Sequence, residues 1–525
     1  SLVTHSGSAF STLLRSNRGF GFRLAVSSGQ ELVTDTADYV EYALADPETR
    51  LIALLLETPR SAPRLRAALR RAAEQDVPVV VLTVGASPTG RTMVAAHSGA
   101  LAGDAAGWTA FCAATGAVRV TDLAEFTDTV ELFAAGRRPA YSGGGIATVH
   151  DSGAERALSA DLAHSLEVPF ASLGQNTLAS LAELLDDGLI ATNPLDVWGT
   201  GADTRALFGA CLRVISDDPA VAVTALAVDL VTEFDGDTAY PDAIIDTAKH
   251  TQAPLAVLAS VPSAVDPVMA RRLRDEGIPV LEGTRSGIAA LGHLAAWPRP
   301  LPTAVLPVDA ERRDRWLNRI ASGPVAGFEL FADYGVPVVV SRTAHSLSEA
   351  LSVAEQVGYP VALKTLGAEH KSDVGGVALG LADALALRHA YLTMADALGP
   401  AVSVDAMAAA GMEISVGFVR DDAFGPLVVV AAGGLLVELL ADRAVACPPL
   451  SHEEAHGLLD GLRIRPLLDG WRGSPAVDTD SLAEVIVGFA AMATELGAVL
   501  DAVEANPVIV SPGGVIAVDA LVIPR

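Results

Sequence analysis

The sequence predicts an α/β protein: two parallel-sheet units followed by an α+β unit. Three observations carry that expectation. Up to Trp297, short Val-, Leu- and Ile-rich runs alternate with amphipathic stretches, the pattern of strands joined by crossover helices. Half of the residues are hydrophobic but only 5% are aromatic, which suits aliphatic strands buried on both faces. Beyond the Pro-rich stretch from Trp297 to Pro302, strand-like runs stand closer together, which points to mixed or antiparallel pairing. A chain of 525 residues has room for roughly three to four domains.

In the first unit, strands are expected over 24–27, 51–56, 79–84 and 118–120, and helices over 36–44, 63–74, 104–114 and 123–134. Ser1 to Gly7 reads as a short strand running into a glycine turn. A unit that starts inside a sheet leads to the expectation of a trimmed or split protein. The Gly136-Arg-Arg-Pro139 and Ser142-Gly-Gly-Gly145 runs punctuate its end. The second unit repeats the alternation, with strands over 146–149, 221–230, 255–258 and 280–281 and helices over 153–166, 177–185, 204–216 and 265–275. The Pro-rich stretch reads as a linker. In the third unit, Ser322-Gly-Pro324 is expected to start a helix that runs to Tyr334, with Ser as N-cap and Pro in the first turn. Strands follow over 360–364, 376–379, 412–419, 427–432, 499–504, 507–510 and 515–518.

The formal net charge of −27 argues against nucleic acid or an anionic membrane as partner. No apolar run is long enough to span a bilayer, and the opening residues have no signal-peptide pattern. Cys112, Cys211 and Cys447 are far apart and form no zinc pattern. A reducing, cytoplasmic setting is expected. Lysine is confined to Lys249, Lys364 and Lys371. Two of the three lie within eight positions, which points to a need for ammonium chemistry there or to chance clustering.

Four stretches could carry chemistry. His97 sits among small residues from Val94 to Asp104, between a strand and a helix. Small residues let backbone N–H groups approach an anion, a helix N-terminus favours negative charge, and an imidazole there could carry a phosphoryl group. Alone, the stretch reads equally as a surface loop. Lys364 ends an apolar run and is followed by His370, Lys371 and Gly375-Gly376, either a cationic loop that meets phosphate or a polar hairpin connection. Glu504-Ala-Asn506-Pro507 precedes Asp519. Antiparallel strands there would bring Asn506 and Asp519 together as a magnesium site completed by nucleotide phosphates, although turn chemistry explains Asn-Pro as well. Alternation around Glu413, with Arg420 further on and Gly433-Gly434 beyond it, suggests a strand with a polar face toward a cleft or a plain hairpin. Glu57 ends the run 51–56. At the C-terminal edge of a parallel sheet it could hold the His97 imidazole in one tautomer, or simply be a solvated strand end.

Taken together, the chain resembles the ADP-forming acyl-CoA synthetases of the succinyl-CoA synthetase superfamily, over almost its whole length. The resemblance rests on Ser6-Gly7, Gly19 to Arg23, Ser28-Gly29, Asp46 to Thr49, Ala96 to Gly103, Asn193-Pro-Leu-Asp196, Leu363-Lys364, His370 to Gly376, Arg420-Asp421 with Phe424-Gly-Pro426, and Glu504 to Pro507. It implies a flavodoxin-like ligase domain over 1–137 with a phosphohistidine loop, a second over 142–297, and an ATP-grasp domain over 303–525. It implies His97 as the phosphoryl carrier, Glu57 as its orienting carboxylate and His370 as a second, relaying histidine. Lys364, Glu413 and Arg420 would meet the nucleotide, and Asn506 and Asp519 the magnesium. The substrates implied are ATP or ADP, phosphate, CoA and a small carboxylic acid or its acyl-CoA, handled by a homo-oligomer.

The resemblance also shows departures. The family begins with a CoA-binding Rossmann domain whose Gly-rich fingerprint is not found in this sequence, so that domain is expected to be missing or to come from a separate chain. Thr83 stands where the family often has Lys, and His5 where Gln is common. Two alternatives follow. One is an ATP-grasp ligase that activates a carboxylate for an acceptor other than CoA, and the other is a non-catalytic nucleotide-binding or regulatory homologue.

Overall fold

The computed structural model describes the chain except residues 86, 88, 91, 94–104, 141–142, 200–202, 233–236, 299–300, 302–307, 367–370, 372–373 and 435–439. It divides into two compact units, Ser1–Leu301 and Pro302–Arg525.

In the first unit, β1 (Leu2–Thr4), β2 (Ala25–Ser27), β3 (Ile52–Leu56), β4 (Val79–Thr83) and β5 (Val118–Val120) form a parallel sheet in the order β2-β1-β3-β4-β5. A second parallel sheet follows, from β6 (Gly145–His150), β7 (Leu195–Asp196), β8 (Val221–Ala227), β9 (Leu255–Ala259) and β10 (Val280–Glu282), in the order β7-β6-β8-β9-β10. Both have the flavodoxin-type order, in which the winding direction reverses next to the first strand and opens a crevice at the strands' C-terminal ends. Every residue of β3 and of β4 is buried, as a sheet covered on both faces requires. The expectation of two parallel-sheet units holds.

The two sheets share one core. Phe126, Val130 and Phe133 of helix Leu123–Ala134 cluster with Ile288 and Leu291 of helix Thr284–Ala295. Trp297 was expected to open a linker. It is buried instead, its ring edge-on to Phe133 at 5.8 Å and its Nε1 donating to Asp76 Oδ1 at 3.1 Å. A buried ionic group completes the joint. Glu131 accepts from Arg18 Nη1 at 3.0 Å, from Arg274 Nε at 2.8 Å and from the Val280 amide at 2.7 Å. Asp128 accepts from Arg18 Nη1 at 2.7 Å and from the Glu282 amide at 3.0 Å.

In the second unit, β11 (Ser341–Ala344), β12 (Val361–Thr365), β13 (Val377–Leu381) and β14 (Val402–Ala406) form an antiparallel sheet in the order β11-β14-β12-β13. A second antiparallel sheet runs β17-β16-β15-β18-β19, with β15 (Met412–Asp421), β16 (Gly425–Ala432), β17 (Arg443–Ala446), β18 (Leu500–Ser511) and β19 (Gly514–Ala517). The last strand, β20 (Leu521–Pro524), pairs with the first half of β18. Helix Thr479–Leu496 buries Val485, Phe489 and Met492 in the core with Val416, Val430 and Val503 of this sheet.

Three expectations change here. Ser322 ends a helix, Ala310–Ser322, and the helix expected to run from it to Tyr334 starts later, at Gly327, and spans Gly327–Asp333. The run Glu311 to Ala321 is amphipathic enough to extend upstream, and Gly323 at φ 142° stops it in a conformation that favours glycine. The strands expected over 499–504 and 507–510 are one strand, β18, because β15 pairs along both halves with a register shift between Ile414 and Val416. Helix Gly7–Leu14 replaces the expected turn, with Ser6 Oγ accepting from the Ala9 amide. Among the described residues, no helix is long and apolar enough to cross a membrane.

The ionic joint yields a prediction. Arg18 and Arg274 side chains are only 10% and 12% exposed, so Glu131→Ala leaves two buried guanidiniums under-compensated. The variant should lose about 3–5 kcal/mol, read as a lower urea midpoint.

Candidate active site

The C-terminal edge of the first sheet brings together residues from three separate segments. His5 follows β1 and Glu57 follows β3, the two strands that flank the reversal. The Glu57 amide donates to His5 Nδ1 at 3.1 Å. A ring nitrogen that accepts cannot carry the proton, so the proton is on Nε2. Nε2 faces Glu31 Oε1 at 3.1 Å, and that oxygen also accepts from Thr36 Oγ1 at 2.6 Å and from Ser28 Oγ at 2.8 Å. Burial pushes the Glu31 carboxyl up, but the hydrogen bonds from His5, Thr36 and Ser28 outweigh it and hold the group below its ordinary value. Glu31 sits at φ 53°, a region non-glycine residues seldom adopt.

The imidazole in this tautomer offers one acceptor and one donor, the same pair as a glutamine carboxamide. That explains how His5 fills a position where the resemblance leads one to expect Gln. Next along the edge, Leu56 pairs with Thr83, and the Val84 amide donates to the Leu56 carbonyl at 3.1 Å. The chain therefore leaves β4 beside Glu57. His97, on the segment that follows, lies outside the described residues. Thr83 is buried, and its hydroxyl has no partner among the described residues.

The equivalent edge of the second sheet gathers carboxylates. Asp151 and Glu155 follow β6, Asp196 ends β7 and Asp229 follows β8. Burial pushes the Asp151 carboxyl up, against a hydrogen bond from Tyr240, and Asp229 and Asp196 push in the same direction. Asp229 Oδ1 accepts from the Ser260 amide at 2.9 Å and from Ser260 Oγ at 2.7 Å. His150, buried next to them in sequence, is pulled down to about 4 by burial and by Arg156, so its ring is neutral at pH 7. The motif at Asp196 was legible in the sequence. Asp229 was not, because it meets the others only through the sheet.

In the second unit, two of the chain's three lysines converge. Lys364 on β12 is buried and lies 3.1 Å from Asp405 Oδ2 on β14, and its Nζ also donates to the Val518 carbonyl. Lys371 Nζ lies 2.7 and 3.0 Å from the two oxygens of Asp519. Asp519 lies between β19 and β20, which both pair with β18, and the Val518 amide donates to the Pro507 carbonyl at 3.2 Å. That pairing sets Asp519 beside Asn506. Asn506 Oδ1 accepts from the Gly434 amide at 3.5 Å, and Glu504, two residues before it, accepts from Ser415 Oγ at 2.8 Å. One carboxylate and one amide oxygen fit a small hard cation that takes its other ligands from phosphate and water. Here the Lys371 ammonium pairs with that carboxylate.

Glu413 lies at the start of β15 over Gly433 and Gly434. A side chain at Gly434 would overlap the Glu413 carboxylate, and one at Gly433 would overlap the backbone of Glu413 and Ile414. The close approach these glycines allow is therefore to β15. Arg420 is not brought to this group. It lies seven positions further along β15, and its Nη1 donates to the Gly497 carbonyl at 2.8 Å, where helix Thr479–Leu496 ends. His370 lies outside the described residues. No three His, Cys, Asp or Glu are arranged to hold a metal among the described residues.

Two flavodoxin-like sheets followed by two antiparallel sheets are the framework on which these charged groups stand. A family model described as a succinyl-CoA ligase like flavodoxin domain matches residues 1–133, and one described as an ATP-grasp domain matches 313–523. The chain is 30% identical over 534 residues to a trans-feruloyl-CoA synthase from an unknown prokaryotic organism, covering 96% of this chain and 73% of that protein. It is 28% identical over 521 residues to the ADP-forming acetate–CoA ligase I of Archaeoglobus fulgidus, covering 95% and 74%. In fold it is similar to the dinucleotide-forming acetyl-coenzyme A synthetase 1 of Ca. Korarchaeum cryptofilum solved with phosphate and ADP, with 18% identity and a TM-score of 0.50 over 57% of this chain and 64% of that one. The chain belongs to the ADP-forming acyl-CoA synthetases, which are acid–thiol ligases.

Two predictions follow from the His5 group. His5→Gln should keep stability within ~1 kcal/mol, whereas His5→Leu should lose ~1–3 kcal/mol by stranding the Glu57 amide and the Glu31 carboxylate. Urea titrations of the three proteins compare them. Because folding depresses the Glu31 carboxyl, its contribution is complete above its ordinary value of 4.5 and is lost as pH falls through the depressed one. Between pH 7 and pH 3, wild type should lose more stability than Glu31→Gln, and equal losses would remove Glu31 from the acid response.

Proposed function

We propose that the protein interconverts a small carboxylic acid, CoA and ATP with acyl-CoA, ADP and phosphate through phosphohistidine. One observation carries the reading. Glu57 follows β3 beside the point where the chain leaves β4, the strand that precedes His97 in sequence, and it stands on the edge of a parallel sheet where ligands bind. Family membership supports it.

In the direction that consumes acyl-CoA, a phosphate oxygen attacks the thioester carbon and the C–S bond breaks, giving acyl phosphate and free CoA. A His97 ring nitrogen then attacks phosphorus, the bond from phosphorus to the acyl oxygen breaks, and the carboxylate leaves. Glu57 accepts the proton of the other ring nitrogen, which keeps the attacking lone pair free. The phosphoryl group passes to His370 and from there to the terminal oxygen of ADP, breaking the P–N bond each time.

Lys364 holds nucleotide phosphate as a point charge, and Glu413 borders the nucleotide. Asn506 and Asp519 would hold magnesium, which would supply charge neutralisation on the phosphate oxygens. Lys371, paired with Asp519, adds a second ammonium within reach of the same phosphates. Arg420, engaged with Gly497, has no part in this reading.

Incubation with magnesium and γ-labelled ATP tests it. Wild type should take up acid-labile, base-stable label, and His97→Ala should take up none. A wild-type protein that gains no label at any nucleotide concentration overturns the relay.

A further inference from the structure

We propose that the first unit carries a second anion site, for a small phosphate-bearing molecule, at the opposite edge of the first sheet from His5 and Glu57. Arg50 lies just before β3 and Val77 just before β4, so the edge is the one where the strands begin. A cavity of about 390 Å³ opens there, lined by Asp46, Thr49, Arg50, Gln75, Asp76 and Arg138 among others. That volume lies within the range of small-molecule pockets, roughly 300–1,000 Å³, and leaves room for an organic group beside a phosphate.

The carboxylates in this cavity are already engaged. Asp46 takes Arg23 Nε at 2.5 Å and the Glu48 amide at 3.0 Å, and Asp76 Oδ1 takes Trp297 Nε1 at 3.1 Å. The cations are less so. The exposed Arg50 guanidinium has no hydrogen bond or ion pair among the described residues, and it lies over Gly136, whose missing side chain leaves the approach open. Arg138 spends Nη1 on the Phe133 and Arg137 carbonyls, at 3.0 and 3.2 Å. Its Nε is buried with no partner among the described residues. Burial pulls this guanidinium down, with only Asp76 opposing. Thr49, 7% exposed, has an unpartnered buried hydroxyl.

Buried donors left unpaired are costly, and a buried cation more so. Two guanidiniums from separate segments and a hydroxyl around one cavity suit a dianion with several acceptor oxygens better than a lone carboxylate. In a chain of net charge −27, such a pocket stands out against its background. An occupant would meet Asp76, which holds Trp297 in the core shared by the two sheets.

Calorimetric titration of the full chain with inorganic phosphate and with glycerol 3-phosphate tests the site. Comparison with variants removes any phosphate bound at the catalytic edge, which they leave intact. Arg50→Gln, at an exposed position, should weaken a binding component about tenfold or more, as loss of a charge-assisted hydrogen bond does. Arg138→Gln should weaken the same component, and if burial makes it unfold, Arg50→Gln still decides. Binding of glycerol 3-phosphate alone assigns the site to phosphate esters, and equal binding of both probes assigns it to the phosphate group itself. If both probes give the same isotherms with Arg50→Gln as with wild type, or neither binds, the proposal is overturned.

Discussion

Glu131 is the constraint on which the first unit depends. One carboxylate on helix Leu123–Ala134 takes two guanidiniums and the Val280 amide at the start of β10. The two sheets have five strands each, and their cores run together on this side. Phe126 and Val130 need Ile288 and Leu291 to cover them. Hydrophobic contact brings those faces together without fixing their register, because apolar burial is non-directional. The short, directional bonds at Glu131 and Asp128 supply the register.

The second unit solves a different problem, with scarce ammonium groups. Lys364 and Lys371 approach neighbouring residues, Val518 and Asp519, from either side of a short stretch of chain. Lys364 links the four-stranded sheet to the segment that follows β19, and Asp405 partners it from within its own sheet. The segment they meet runs opposite Asn506, whose place is set by β18 pairing with β15 on one side and with β19 and β20 on the other. A compact, re-orientable charge suits a site whose carboxylate must be shared with another cation, and a planar guanidinium suits it less.

Much of this was legible in the sequence where the signal was local. Helices Thr36–Leu44, Leu123–Ala134 and Thr204–Ser216 begin after Asp35, Asp122 and Asp203, whose side chains cap them, and each was expected with those bounds. Helix Thr284–Ala295 was missed. It is buried on nearly every side, and Gly287 and Gly292 let it press against Leu281 and Val168, so it has no polar face to give an amphipathic signal, and the two glycines interrupt its Ala and Leu residues. Asn506 beside Asp519 was legible because hairpin geometry decides it. Glu31 beside His5 was not, since the loop after β2 meets the end of β1 only when the sheet forms. Arg420, expected beside Glu413, lies seven positions further along the same strand, where its guanidinium meets the Gly497 carbonyl.

The histidine at position 5 also differs in kind from the amide it replaces. A carboxamide presents its acceptor and its donor unchanged whatever the solution. An imidazole does so only while neutral. Once protonated, Nδ1 becomes a donor that faces the Glu57 amide, donor against donor, while the bond to Glu31 strengthens. The backbone at Glu57 is thus tied down by a contact that a single proton can reverse, at the edge of the sheet from which the His97 segment departs.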